Sequence, residues 1–170
     1  MTLQVLLVRH ASAGSRSHWA GPDHLRPLDR MGHRQAEGLA AAWTGAKVPR
    51  IHQLLSSPYL RCVQTVEPLA GTVGLPVEEE PALAEGHETE AIGLTRGLLV
   101  SRERAGSSPA GRMVVLCTHG DVIPAILDEA AADGVDLGKD TRWAKGSAWL
   151  LEGSAGRFTA AHYRPPVTST

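Results

Sequence analysis

The stretch Leu3-Gln4-Val5-Leu6-Leu7-Val8-Arg9-His10 decides the fold. It is apolar but for Gln4 until it meets an adjacent Arg and His. Such a run reads as a strand buried on both faces, as in a parallel sheet covered by helices. Met113-Val114-Val115-Leu116-Cys117 is a second run of the same kind, followed by Thr118-His119-Gly120-Asp121. Ile51 to Leu55 reads as a third, shorter strand, closed by Ser56-Ser57-Pro58.

Helical patterns lie between the strands. Apolar spacing predicts helices from Arg30 to Trp43, from about Tyr59 to Thr72, from Glu88 to Arg104 and from Val122 to Ala132. Ser57 and Pro58 read as N-cap and first residue of the second helix, and Pro68 as its break or kink. Asp121 reads as the N-cap of the fourth. Residues 11–29 and 106–111 read as loops, and 77–90 as an acidic connection. Late strands are expected over Ser147–Leu151 and Arg157–His162. The alternation predicts an α/β domain with a mostly parallel central sheet, one domain over 1–164 and a flexible tail over 165–170.

Bulk properties narrow the function. The 170 residues fit one domain, able to bury a core without disulfides or metals. The formal net charge of −1 provides no global positive field for nucleic acid. The 17 basic residues are 14 Arg and 3 Lys, and Arg is the better bidentate phosphate ligand. Cys62 and Cys117 form no Cys-x-x-Cys pair, so they predict buried thiols in a reducing cytoplasm, not a zinc site. The first residues lack a basic n-region and a small-residue cleavage site, and no apolar run reaches membrane-spanning length. No nucleic acid, membrane, metal or cofactor is expected.

Ligands in open α/β sheets gather at the carboxyl ends of the strands. Arg9-His10, Thr118-His119 and Ser56-Ser57-Pro58, with Arg61 one turn on, all follow predicted strands. One sheet edge would therefore hold two His and two Arg. Guanidinium forks match phosphate oxygens, a neutral imidazole can attack phosphorus, and a second His can hydrogen-bond the transferring group. No Gly-rich phosphate loop of the G-x-x-x-x-G-K-[ST] type is present, so Arg and His would neutralise the charge in place of a metal.

These residues carry a resemblance. Leu7-Val8-Arg9-His10-Ala11 is similar to the Arg-His-Gly signature of the histidine phosphatase (phosphoglycerate mutase-like) superfamily, with Ala third. Pro27-Leu28-Asp29-Arg30-Met31-Gly32-His33-Arg34-Gln35-Ala36 resembles its P-L-x-x-x-G-x-x-Q-A segment. Ser56-Ser57-Pro58-Tyr59-Leu60-Arg61-Cys62-Val63-Gln64-Thr65 resembles its S-S-P-x-x-R-x-x-Q-T segment, and Thr118-His119-Gly120-Asp121 its second histidine motif. The resemblance implies a three-layer αβα sandwich. It implies phosphorylation of His10, phosphoryl binding by Arg9, Arg61 and His119, and a proton donor in an L-x-E context. Leu83-Ala84-Glu85 fits that context, so Glu85 is the first choice and Glu88 the substitute. Arg16 and Arg26, in the loop the family uses for extra contacts, are candidate substrate ligands, and Trp19 a packing anchor for that loop.

The 24 positions from Arg61 to Glu85 and the 34 from Glu85 to His119 leave room for only a short cap. Length and the Arg-His-Ala variant resemble small phosphohistidine phosphatases of the SixA type. The Arg26-Pro27-Leu28 region also resembles the phosphatase module fused to some Nudix hydrolases. The expected activity is a metal-independent phosphatase acting on a phosphorylated small molecule or a phosphohistidine protein. The alternatives are a mutase-type phosphotransferase and a non-catalytic phospho-ligand binding module.

Overall fold

Val5 and Leu7 point to one side of their strand and Leu6 and Val8 to the other, and all four are fully buried. That alternation places β1 (Leu3–Arg9) in the middle of the molecule, between two helical layers. A computed structural model describes residues 3–100 and 111–170. The loop expected at 106–111 and the end of the helix expected over 88–104 lie outside the described residues, Gly111 excepted.

Among the described residues, nine further strands and α-helices follow: α1 (Arg30–Ala42), β2 (Arg50–Ser56), α2 (Leu60–Val73), β3 (Val77–Glu79), α3 (Glu88–Val100), β4 (Arg112–Thr118), α4 (Val122–Ala132), β5 (Ala148–Ser154) and β6 (Arg157–Arg164). The strands form one sheet of order β3-β2-β4-β1-β5-β6. β3, β2, β4 and β1 pair in parallel, whereas β5 runs antiparallel to both β1 and β6. The amino end of β5 therefore lies at the edge where β1, β2 and β4 end. Leu6, Val8, Leu54, Val115 and Leu150 meet α1 and α2 on one face. Val5, Leu7, Leu116, Trp149 and Leu151 meet α3 and α4 on the other. The result is the expected three-layer αβα arrangement with a mostly parallel sheet.

Several local expectations are corrected. α2 begins at Leu60 with Tyr59 as its cap residue; the Ser57 hydroxyl accepts the Tyr59 N–H ahead of the helix and also meets His119. α2 also runs through Pro68 without ending. A proline removes one helical hydrogen bond, but Val66, Leu69 and Ala70 around it are buried against the sheet and hold the helix together. β3 was not expected, because an edge strand Val-Glu-Glu pairs through backbone and carries no buried pattern. The segment 165–170, expected to be a flexible tail, lies along α1. Arg34 donates two hydrogen bonds to Ser169 O, and Gly38 lets Val167 O approach its Cα where a Cβ would stand only 2.0 Å away. No described helix is long and apolar enough to cross a membrane.

Candidate active site

His10 follows β1 directly, and its backbone N–H still pairs with Thr118 O on the neighbouring strand. Its side chain is 5% exposed. Nδ1 lies 2.9 Å from Ala11 O. A carbonyl only accepts, so Nδ1 carries the hydrogen and Nε2 presents its lone pair. Burial, opposed by the Ala11 carbonyl and reinforced by the charges of His119, Arg61 and Arg9, lowers the His10 pKa to about 3. The imidazole is thus an unprotonated nucleophile near neutrality.

Arg9 turns its guanidinium over Gly120. A Cβ there would lie 2.7 Å from one terminal nitrogen, so the Thr-His-Gly motif needs its glycine for this stacking. One terminal nitrogen donates to Trp143 O (2.8 Å), and burial lowers the Arg9 pKa against the pull of Asp121.

Arg61 is fully buried. It donates to Asp23 O (2.9 Å), Asp23 Oδ2 (3.1 Å) and Glu85 Oε1 (2.9 Å). A buried guanidinium requires such partners, since an unpaired one would cost several kcal/mol.

His119 lies edge-on to His10, ring centroids 5.4 Å apart. Its Nε2 is 2.8 Å from Ser57 Oγ, which also receives the Tyr59 N–H at 3.3 Å. The hydroxyl hydrogen is then free to bond Nε2, leaving the imidazole hydrogen on Nδ1. That Nδ1 is buried, lacks a hydrogen-bond partner and faces Glu85 Oε1 at 3.5 Å. Arg9 Nε and Arg61 Nε are likewise buried and unpartnered. Three buried donors of residues at the edge that carries His10 thus have acceptors to gain.

Glu85 closes the site from the segment after β3. It bridges Arg61 and Arg16, whose Nη2 reaches both carboxylate oxygens at 3.1 Å. Gly86 N–H donates to Asp121 Oδ2 (2.8 Å), tying the Glu85 turn to the residues after β4. Asp121 also caps α4 through Val122 N–H, as expected. Glu88 is the first residue of α3, and no described contact joins it to Arg61 or His119. Arg16 sits at the mouth, with 64% of its side chain exposed, and Glu85 foremost raises its pKa.

Arg26, the other candidate substrate ligand of the loop, turns inward. Its guanidinium is buried and spent inside the loop, on Ala13 O (2.6 Å) and Asp23 Oδ1 (3.0 Å), where it fixes the loop's shape. Trp19 packs within its own loop, its indole N–H on Pro22 O, but is 38% exposed.

Asp23 was missed by sequence reasoning. It touches Arg16, Arg26 and Arg61 together, and these hold its carboxyl below the usual range although burial opposes them. Nothing in a loop rich in Gly, Ser and Pro singles out one Asp.

The polar motif residues anchor this loop. Thr65 Oγ1 accepts from Ala11 N–H, Gln35 Oε1 from Ser12 N–H, and Gln64 Oε1 from Leu28 N–H, each at 2.9 Å. Among the described residues no three His, Cys, Asp or Glu side chains form a metal-binding group. The side chains that converge on His10 suit an oxyanion.

The family model of the histidine phosphatase superfamily (branch 1) matches residues 5–105. An 8-oxo-(d)GTP phosphatase of Mycolicibacterium smegmatis is 34% identical over 166 residues, which is 97% of this chain and 49% of that protein. The chain thus spans about half the length of that relative. Among solved structures, the protein histidine phosphatase SixA complexed with tungstate superposes with a TM-score of 0.70 at 22% identity, over 98% of this chain and 97% of that one. A mycobacterial glucosyl-3-phosphoglycerate phosphatase superposes with a TM-score of 0.67 at 18% identity, covering all of both chains. These two likenesses concern the fold.

Proposed function

The chain belongs to the histidine phosphatase superfamily (branch 1), and on that premise we propose that it is a phosphatase working through a phosphohistidine on His10, with no metal. The observation that carries this reading is the meeting of a neutral His10 with three unpartnered donors, Arg9 Nε, Arg61 Nε and His119 Nδ1.

A phosphoryl group beside His10 takes these donors through its non-bridging oxygens. His10 Nε2 attacks phosphorus, the N–P bond forms, and the bond to the leaving oxygen breaks. Arg9, Arg61 and His119 neutralise charge on the equatorial oxygens, where each preorganised donor is worth about 10²–10³ in rate. Glu85 is the general acid in this reading, giving a proton to the leaving oxygen. It then takes a proton from the water that cleaves the N–P bond and releases inorganic phosphate. The incoming phosphoryl group competes with Glu85 for Arg61 and Arg16, so Arg16 is the loop residue proposed to touch substrate.

The substrates are phosphomonoesters or phosphohistidine. Similarity over the whole chain to an 8-oxo-(d)GTP phosphatase favours a second reading, a phosphorylated nucleoside. The cytoplasm is the expected compartment, in keeping with Cys62 and Cys117 as buried free thiols.

Hydrolysis of an aryl phosphate in EDTA tests the activity. Turnover is expected, with loss of at least about 10³-fold in His10→Ala. No turnover, or turnover unchanged in the variant, would reject the reading. Parallel assays with phosphohistidine protein and nucleoside phosphates would rank the substrates.

A further inference from the structure

Glu85 is anchored in two ways. Its carboxylate is held from the side by Arg61 and Arg16. An incoming phosphoryl group competes for both guanidiniums, so these ion pairs weaken at the moment the acid is needed. What fixes Glu85 then is its own backbone.

That backbone is bracketed from the end of β4. The fully buried Thr118 hydroxyl donates to Leu83 O at 2.6 Å, ahead of Glu85. Asp121 Oδ2 accepts from Gly86 N–H at 2.8 Å, just after it. Leu83 is itself fully buried and ends the single turn Pro81–Leu83. Thr118 and Asp121 flank His119 and Gly120, so one short segment presents His119 and also sets where Glu85 stands. Glu85 Oε1 lies 3.5 Å from His119 Nδ1.

We propose that Asp121 and Thr118 are positioning residues for Glu85, holding its carboxyl where the leaving oxygen of the substrate departs. The inference rests on the reading of Glu85 as general acid.

The two contacts suit that task. Asp121 divides its oxygens, Oδ1 accepting from Val122 N–H at 2.9 Å and Oδ2 from Gly86 N–H. Hydrogen bonds to a carboxylate are charge-assisted and stronger than neutral ones. One side chain thereby ties the Glu85 turn to the start of α4, which Val122, Ile123 and Ile126 root in the core. The Thr118 bond is buried, so its loss would leave Leu83 O without a partner. A general acid must stand within hydrogen-bond reach of the atom it protonates, and a misplacement of about 1 Å can cost about 10²-fold.

Leaving-group dependence separates positioning of an acid from plain structural support. The measurement is kcat/KM, which reports the steps up to phosphoryl transfer onto His10. Phenyl phosphate has a leaving oxygen that needs a proton, whereas dinitrophenyl phosphate releases a phenolate that does not. Asp121→Ser, at an exposed position, keeps a hydroxyl to cap α4 but is too short to hold Gly86. It is expected to lower kcat/KM for phenyl phosphate by about tenfold and for dinitrophenyl phosphate by less than about twofold. Thr118→Val, which keeps the shape and removes the hydroxyl, is expected to show the same split. An equal loss with both substrates, or no loss with phenyl phosphate, in either variant would overturn the inference.

Glu85→Gln distinguishes the two possible failures. If Glu85 is not the acid, Glu85→Gln affects the two substrates alike. If only this inference fails, Glu85→Gln shows the split while Asp121→Ser and Thr118→Val do not.

Discussion

At His10 the decisive property is neutrality. An imidazole with the ordinary pKa of about 6.5 would be only about 0.3% neutral at pH 4. With its pKa lowered to about 3 by burial, His10 stays largely neutral there. Activity from pH 7 to 4 is therefore expected to show no loss attributable to the nucleophile. A hundredfold fall that follows the titration of one group near pH 6.5, with substrate ionisation accounted for, would contradict this. The same shift has a stability consequence. Unfolded His10 takes a proton as pH falls through 6.5, while the folded form refuses it until about 3, so stability drops as pH falls across that window. His10→Gln should soften that drop, seen as a smaller fall in Tm between pH 7 and 4.5. An equal fall in both proteins would show that His10 does not contribute. Arg61 makes a second prediction at this scale. Arg61→Met should lower kcat/KM by about 10²–10³, the cost of one preorganised donor.

At the scale of elements, the turns at the sheet edge matter more than the helices. Gly120 lets the Arg9 guanidinium lie against the backbone, so Gly120→Ala must push that side chain aside. A flexible side-chain end yields cheaply, so we expect Tm within a few degrees of wild type but at least about tenfold lower kcat/KM. Unchanged kcat/KM would mean that Arg9 is not held in place by this contact. The strands and most helices were legible because buried strands leave unbroken apolar runs and amphipathic helices a repeating stripe, as in Leu3–Val8 and Met113–Cys117. The start of α2 was not, because Ser57 looks like an N-cap by type but binds the Tyr59 N–H ahead of the helix and meets His119 as well. β3 was not, because Val77-Glu78-Glu79 joins the sheet by backbone alone. In the site, Arg9, His10, Arg61 and His119 were legible from their place after strands. Asp23 was not, because it lies in an irregular loop whose composition marks out no single acid.

Across the whole molecule, two apolar layers hold the sheet rigid so that four separated segments meet at one edge. Leu116 is fully buried against the α3–α4 layer, and Leu116→Ala is expected to lower the unfolding free energy by about 2–5 kcal/mol in urea denaturation. A loss below about 1 kcal/mol would mean that this layer is loosely packed. The central claim concerns the chemistry that this edge supports. Acid-sensitive phosphate should be trapped on the enzyme when it is mixed with aryl phosphate and quenched in alkali. Mapping that phosphate by peptide mass spectrometry tests the claim most directly. The account predicts it on His10 Nε2 and its absence in His10→Ala. Turnover with phosphate on any other residue, or with no phosphoenzyme on a quench fast enough to catch it, would contradict the account.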